Sequence, residues 1–333
     1  MSKSPGSAVL RELVKQFPNA GALTLAKKAY RDNPEYWPSL EACRSSVRSI
    51  LGVNGQQSRQ RCSKTLYRKP RAAGWSDVIP EALVQLDDWK AVAVGGPARA
   101  LILSDIHIPF HDPKALELAL QYGLDHKADL VLLNGDVMDF YAHSHWEKDP
   151  KLRDFPAEVR AGKHFLGGIR KRFPHAQIIF KEGNHEERYL RHMRIKAPDF
   201  LGLPEFSWPS VFGLKEYDIQ LVDQKRPIRL GLLNVIHGHE YVFSISNPVN
   251  PARGMYLRAK AHVLGGHFHQ PSQHTERTLE QKVISAWSTG CLCNIHPEWR
   301  PLNPWGHGFA FVVIDKDGSF KVDNLRIING KTW

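Results

Sequence analysis

The chain has little of what would place it in a membrane or outside the cell. No run approaches the ~20 consecutive apolar residues of a spanning helix, and the opening MSKSPGSAVLREL lacks the apolar core of a secretory signal. Cysteine is scarce: Cys43, Cys62, Cys291 and Cys293 are the only four in 333 residues, with no C-x-x-C pair and no zinc-finger spacing. That excludes a disulfide scaffold. Cys291 and Cys293, in the strand-like run WSTGCLCN, read as packed thiols, and a reducing, cytoplasmic setting is expected. No internal repeat or low-complexity tract appears. Acidic side chains are missing from one long stretch, Arg44 to Arg71, although the chain as a whole carries 34 of them.

What is present is a series of polar signatures in fixed order. They read Ser-Asp-Ile-His (104–107), Gly-Asp-Val-Met-Asp (135–139), Gly-Asn-His-Glu (183–186), His-Gly-His (237–239) and Gly-His-Phe-His (266–269). Each follows a short apolar run that reads as a buried strand: ALIL, DLVLLN, QIIF, LLNVI and HVLG. Carboxylate, imidazole and amide groups are thus delivered repeatedly to the carboxyl ends of strands, where open α/β sheets place their active sites.

This order resembles the calcineurin-like metallophosphoesterases over roughly residues 98–315. The resemblance implies a four-layer αββα sandwich, two divalent metal ions and hydrolysis of phosphate esters by a metal-bridging hydroxide. It implies that Asp105, His107 and His269 hold one metal, Asn184, His237 and His267 the other, with Asp136 bridging. His185 is then the proton donor and Asp139 the carboxylate that orients it. Phe140 stands where the Ser/Thr protein phosphatases carry a phosphate-gripping Arg, which argues against that subfamily. Asp139 stands where purple acid phosphatases carry a metal-binding Tyr, which favours two divalent ions over Fe³⁺. The run Asp105-Ile-His-Ile-Pro-Phe-His-Asp112 and Glu187-Arg188-Tyr189 after the third signature most resemble bacteriophage and prophage members, hence a bacterial or phage-infected cell.

The residue types support the same chemistry. Mixed imidazole and carboxylate ligands suit first-row ions such as Mn²⁺, Fe²⁺ or Zn²⁺ better than Ca²⁺, which prefers all-oxygen shells; two divalent ions are expected, Mn²⁺ first, with Fe, Zn, Ni or Co as alternatives. Paired ions clamp the attacking and leaving oxygens of an in-line displacement, and bound water can reach a pKa near 7. His267 and His269, two residues apart, send both rings to one face if the backbone is extended. Seventeen histidines make some chance clustering inevitable, and His126, His164, His175, His192 and His274 read as ordinary surface or core residues. His239 stays open between support and loop filler, and His143 and His145 between substrate groove and surface loop.

The N-terminal third is a separate module. Residues 7–16, 21–32 and 39–51 read as three short helices, with Leu23, Ala26, Ala29 and Tyr30, then Leu40, Cys43, Val47 and Ile50, near helical spacing. A helix-turn-helix-like module over 1–53 and a plain packing domain fit that pattern equally. Charge favours the former. Arg44, Arg48, Arg59, Arg61, Lys64, Arg68, Lys69 and Arg71 form a basic helix and arm, and residues 1–95 carry +7 of the net +11. That is an electrostatic footprint for nucleic-acid phosphates.

The expected organisation is therefore a small all-α domain (1–53), a basic linker and cover segment (54–97) and an α/β phosphoesterase domain (98–333). Helices are expected over 113–126, 157–172 and 186–196. A terminal hairpin about Asp317-Gly318 should close the second sheet. The expected activity is a phosphodiesterase on nucleic acid or nucleotides. The alternatives are a small-molecule phosphatase or pyrophosphatase with an N-terminal assembly module, and a DNA-binding regulator with a vestigial metal site. Oligomeric state is not legible.

Overall fold

The computed structural model describes residues 4–52, 79–80, 89–241 and 249–333. It separates into two compact units, Met1–Leu86 and Asp87–Trp333.

In the smaller unit, helices α1 (Pro5–Gln16), α2 (Ala22–Asp32) and α3 (Leu40–Ile50) enclose Leu10, Leu13, Val14, Leu25, Ala26, Ala29, Trp37, Cys43 and Val47. Ser39 caps α3 by accepting from the Ala42 amide at 3.2 Å. Leu23, expected to face inward, is 41 % exposed, and Leu25 is buried instead. At 3.6 residues per turn Leu25 lies about 40° from Ala29 and Leu23 about 120°, so Leu25 takes the buried side.

The larger unit is built on two sheets. The seven-stranded sheet has the order β13-β12-β11-β2-β3-β4-β5. Its members are β2 (Ala98–Leu103), β3 (Leu130–Asn134), β4 (Gln177–Lys181), β5 (Ile219–Val222), β11 (Gly308–Ile314), β12 (Phe320–Ile328) and β13 (Lys331–Thr332). Strands β2 to β5 are mutually parallel, as expected from strand–helix–strand succession. Helices α4 (Pro113–Asp125) and α5 (Phe155–Arg172) make the first two crossovers. The six-stranded sheet has the order β1-β6-β7-β8-β10-β9. It comprises β1 (Val92–Val94), β6 (Ile228–Leu230), β7 (Leu233–Val235), β8 (Val263–Gly265), β9 (Ser272–Arg277) and β10 (Val283–Ser288).

Side-chain alternation along β2 explains the layering. Ala100 and Ile102 face Leu233, Val235 and Leu264 of the other sheet, forming a core between sheets. Leu101 and Leu103 face Ala115, Leu116, Ala119, Leu166 and Ile169 of α4 and α5, forming a second core. A third, around Ile236, Val263 and Ala286, is covered by Ala252, Met255 and Tyr256 of the helix Pro251–Ala259. Three cores separate four layers, the αββα sandwich. Strands buried on both faces read as continuous apolar runs, which is why ALIL and LVLLN are legible in the sequence.

Two expectations are corrected. The hairpin β11–β12 does form about Asp317-Gly318, but β11 pairs antiparallel with β2. It therefore extends the first sheet and not the second, because Phe309 and Phe311 complete the core under α4. Val92–Val94, within the span read as linker and cover, is a strand paired with β6. The rest of the span read as linker and cover, 54–91, lies largely outside the described residues.

Candidate metal centre

Every signature lies at or just beyond the carboxyl end of a strand. Asp105 and His107 follow β2, Asp136 and Asp139 follow β3, Asn184 and His185 follow β4, His237 follows β7, and His267 and His269 follow β8. The loops are wound tightly: Asp105, His107, Asp136, His267 and His269 all have φ between 53° and 69°. Left-handed backbone costs an L-residue roughly 1–2 kcal/mol, and such strain gathers where a site demands it. The neighbouring glycines permit the approach. A Cβ on Gly183 would run into the Asp136 carboxylate, and one on Gly266 into Ser104 and Asp105. This winding also corrects the extended-backbone expectation for His267 and His269. Their rings diverge, His267 toward His237 (5.3 Å between centroids) and His269 toward His107 (5.1 Å).

Two clusters result, with Asp136 between them. On one side His107 Nε2 lies 3.2 Å from His269 Nε2, and His269 Nε2 3.2 Å from Asp105 Oδ1. On the other, His237 Nε2 lies 3.2 Å from Asn184 Oδ1 and 3.3 Å from Asp136 Oδ1, with His267 in the same group. Asp136 Oδ2 faces the opposite way, 3.9 Å from His107 Nε2 and 3.8 Å from His185 Nε2.

The donor set fits divalent cations. His237 Nδ1 donates to the Asn134 carbonyl at 2.8 Å, so in the neutral ring Nε2 carries a lone pair. That lone pair points at two oxygens, an arrangement that only a proton or a metal between them makes favourable. The Nδ1 of His107 faces the Asp139 carboxylate at 3.3 Å, the usual outer partner of a ligating imidazole. His267 Nδ1 is buried with no hydrogen-bond partner among the described residues. Burial opposes charge on His237 and His269, yet both are pushed up to about 10. Asp136 and Asp105 overcome burial at His237, and Cys291 and Asp105 do so at His269. A field that would hold a proton here would also hold a cation.

His185 is placed for different work. Burial alone would depress its pKa, but Asp136 and Asp139 together raise it. Its Nδ1 donates to the Asp139 carbonyl at 2.8 Å and lies 3.5 Å from the Asp139 carboxylate. Its amide donates to Asp136 Oδ1 at 2.9 Å. The helix α6 (Asn184–Lys196) starts here, so its positive end faces the site.

The family model of the calcineurin-like phosphoesterases matches residues 98–287, more than half of the chain. The chain belongs to the calcineurin-like phosphoesterases. Two relatives are the Gene 54 proteins of Mycobacterium phages L5 and D29. They are 26 % and 24 % identical over 247 and 246 residues, 70 % of this chain and 95 % of each relative. Among solved structures, Vacuolar Protein Sorting 29 from Cryptosporidium parvum aligns over 72 % of this chain and 95 % of its own, at TM-score 0.37 and 12 % identity. Yfce, a phosphoesterase from E. coli, aligns over 68 % and 98 % at TM-score 0.32 and 15 % identity.

Several residues of this phosphoesterase site escape a reading of the sequence. Glu186, fully buried, accepts from the amides of Asp136, Val137, Met138 and Gly183 at 2.9–3.1 Å, clamping the loop that carries Asp136. A Glu at the third position of a helix is the available signal. Lys181 and Glu240 form a buried ion pair at 2.7 Å, and Glu240 also accepts from the His237 and Gly238 amides. Nothing local marks that pair. Arg188 donates to His185 Nε2 at 2.7 Å and to the Asp139 carbonyl at 3.1 Å. Its spacing of four from Asn184 on one helix could have found it.

The histidines left open by the sequence divide between the site and its surroundings. His239 pairs with Glu187 at 3.1 Å beside the site. His143 packs among Phe155, Tyr189 and His192, while His145 lines a surface groove. Cys291 and Cys293 are buried thiols, as expected, but Cys293 Sγ lies 3.7 Å from His269 Nδ1. Phe140 is fully buried against Tyr189, Trp208 and Phe212, so it is a core residue pointing away from the centre. Of the basic positions, Arg44 pairs with Glu41 at 3.3 Å and Arg48 is half-buried on α3. Arg59, Arg61, Lys64, Arg68, Lys69 and Arg71 lie outside the described residues. Among the described residues no helix is long and apolar enough to cross a membrane.

Proposed function

We propose that this phosphoesterase is a two-metal phosphodiesterase acting on nucleic acid or nucleotides. The observation that carries the reading is the disposition of Asp136, which turns one carboxylate oxygen to the His237 cluster and the other to the His107 cluster. Asp105, His107 and His269 would hold one ion, Asn184, His237 and His267 the other, and Asp136 would bridge. Ions bound there, Mn²⁺ first among the candidates, supply the charge that activates water and polarises the phosphoryl group. The protein's own contributions are positioning and proton transfer. Asp139 orients His185, and His185 protonates the leaving oxygen. Substrate phosphate would draw Arg188 off the His185 ring and leave Nε2 free to carry that proton.

The missing Arg at position 140 favours diesters less strongly than the motif alone suggests, because Arg188 brings a cation to the same site from another element. That observation supports the phosphatase alternative. What favours the diester is the groove leading from Asn184 and Arg188, which has room for a second ester substituent. With one metal, bis-nitrophenyl phosphate should be hydrolysed in preference to nitrophenyl phosphate, and exhaustive chelation should abolish both activities. A clear monoester preference would establish the phosphatase instead. The N-terminal helices and basic arm are proposed to bind nucleic acid through its phosphates.

A further inference from the structure

A groove of about 1160 Å³ opens beside the metal centre, and the helix that begins at Asn184 lines its length. Asn184, Arg188, Arg191 and Arg194 all face it. The helical rise places Arg191 about 10 Å and Arg194 about 15 Å beyond Asn184. Arg188 is engaged by His185 and Asp139, whereas Arg191 and Arg194 are exposed and have no acidic partner among the described residues. The groove is also unusually rich in exposed aromatic surface. Trp146 is 67 % exposed, Phe200 45 % and Phe206 41 %, and the two Phe rings meet at 4.7 Å. Exposed apolar patches of this kind mark binding surfaces. Cations at increasing distance from a phosphoester site, sharing one groove with exposed flat rings, match a polyanion whose bases are unstacked.

We propose that this groove binds single-stranded nucleic acid. The diester to be cut lies at the Asn184 end, Arg191 and Arg194 contact phosphates farther along, and Trp146 and Phe200 stack on bases. The proposal rests on the phosphodiesterase reading and specifies its substrate. A duplex, whose bases stack on one another, offers these rings nothing to cover.

The test uses full-length, Mn²⁺-loaded protein with two double variants, Arg191→Ala/Arg194→Ala and Trp146→Ala/Phe200→Ala. These side chains are exposed, so the fold should survive their loss. Each variant should lower kcat/KM for a short oligothymidylate at least about tenfold, chiefly through KM, and leave bis-nitrophenyl phosphate hydrolysis unchanged. Unchanged oligothymidylate cleavage, or equal losses on both substrates, overturns the groove assignment. So does wild-type protein that cuts duplex as fast as single strands, or hydrolyses the small diester but no oligonucleotide, although the diesterase reading then stands. Wild-type protein that hydrolyses only monoesters overturns the diesterase reading itself.

Discussion

Among the described residues the three-helix unit buries only apolar side chains, from Leu10 to Val47, whereas the larger unit also buries Asp105, His107, Asp136, Glu158, Lys181, Glu186, His237 and His269. Both units have well-formed cores, so the difference is not one of packing quality. Burying a charge costs free energy unless it is paired or coordinates a metal. The larger unit tolerates so many because they meet one another in concentric shells. Asp136 and the imidazoles are innermost, Glu186 and Asp139 lie around them, and the Lys181–Glu240 pair lies outside. Among the described residues the smaller unit keeps its charged side chains out of its core, so they are available for the nucleic-acid contact proposed above.

The largest break in that contrast should come from Asp136→Asn, which weakens both halves of the centre at once. It should lower metal affinity by at least about 10²-fold, the upper end of what losses around a metal shell cost, and hydrolysis should fall with metal content. Unaltered metal stoichiometry by elemental analysis would refute the bridging role. His185→Ala should retain its metal but lose about 10²–10⁴-fold in turnover on poor leaving groups, and less on nitrophenyl esters. Equal losses on both substrate types would remove His185 as the proton donor.

Lys181→Met tests the outer shell. It leaves Glu240 buried without its cation and should destabilise the unit by about 3–5 kcal/mol. Denaturant titration would show whether the pair matters; a change within error would make it incidental. Glu158 gives a pH signature. Burial pushes its carboxyl up to about 8 from an ordinary value near 4.5, with only partial relief from the Phe140 amide. The neutral form is favoured in the fold, so this contribution to stability is complete below about 4.5 and lost as pH rises through about 8. Melting temperatures of wild type and Glu158→Gln at fixed metal should diverge in slope across that window, and parallel profiles would contradict the assignment.

The smallest effect on chemistry is expected from removing residues 1–86. Small-diester hydrolysis should be unchanged, while nucleic-acid binding should lose part of its salt dependence. Each phosphate that the truncated protein no longer neutralises should reduce the log–log slope by about 0.9 on duplex DNA and about 0.7 on single strands. Truncation at 97, where the sequence reading begins the catalytic domain, would instead remove β1 from its sheet. Loss of hydrolysis in a folded protein truncated at 86 would show that the smaller unit helps to build the site.

The types and order of the candidate ligands, and their delivery to strand ends, are legible in the sequence. These are local signals: an apolar run, a glycine that permits close approach, then a polar side chain. Helix limits were legible for the same reason, with Pro113–Asp125 and Leu40–Ile50 starting within a residue of expectation. Features that need partners far apart in the chain emerge only on folding. Alternation in β11 is the same whichever sheet it joins, and the position of Phe309 and Phe311 over α4 made the choice. No local signal around Lys181 marks its partner, because Glu240 lies 59 residues away and meets it only in the interior. The orientation of Asp136 between two clusters likewise exists only once separate strand ends converge, and so does the groove: Arg188, Arg191 and Arg194 line up on one helix, but its other walls come from distant loops.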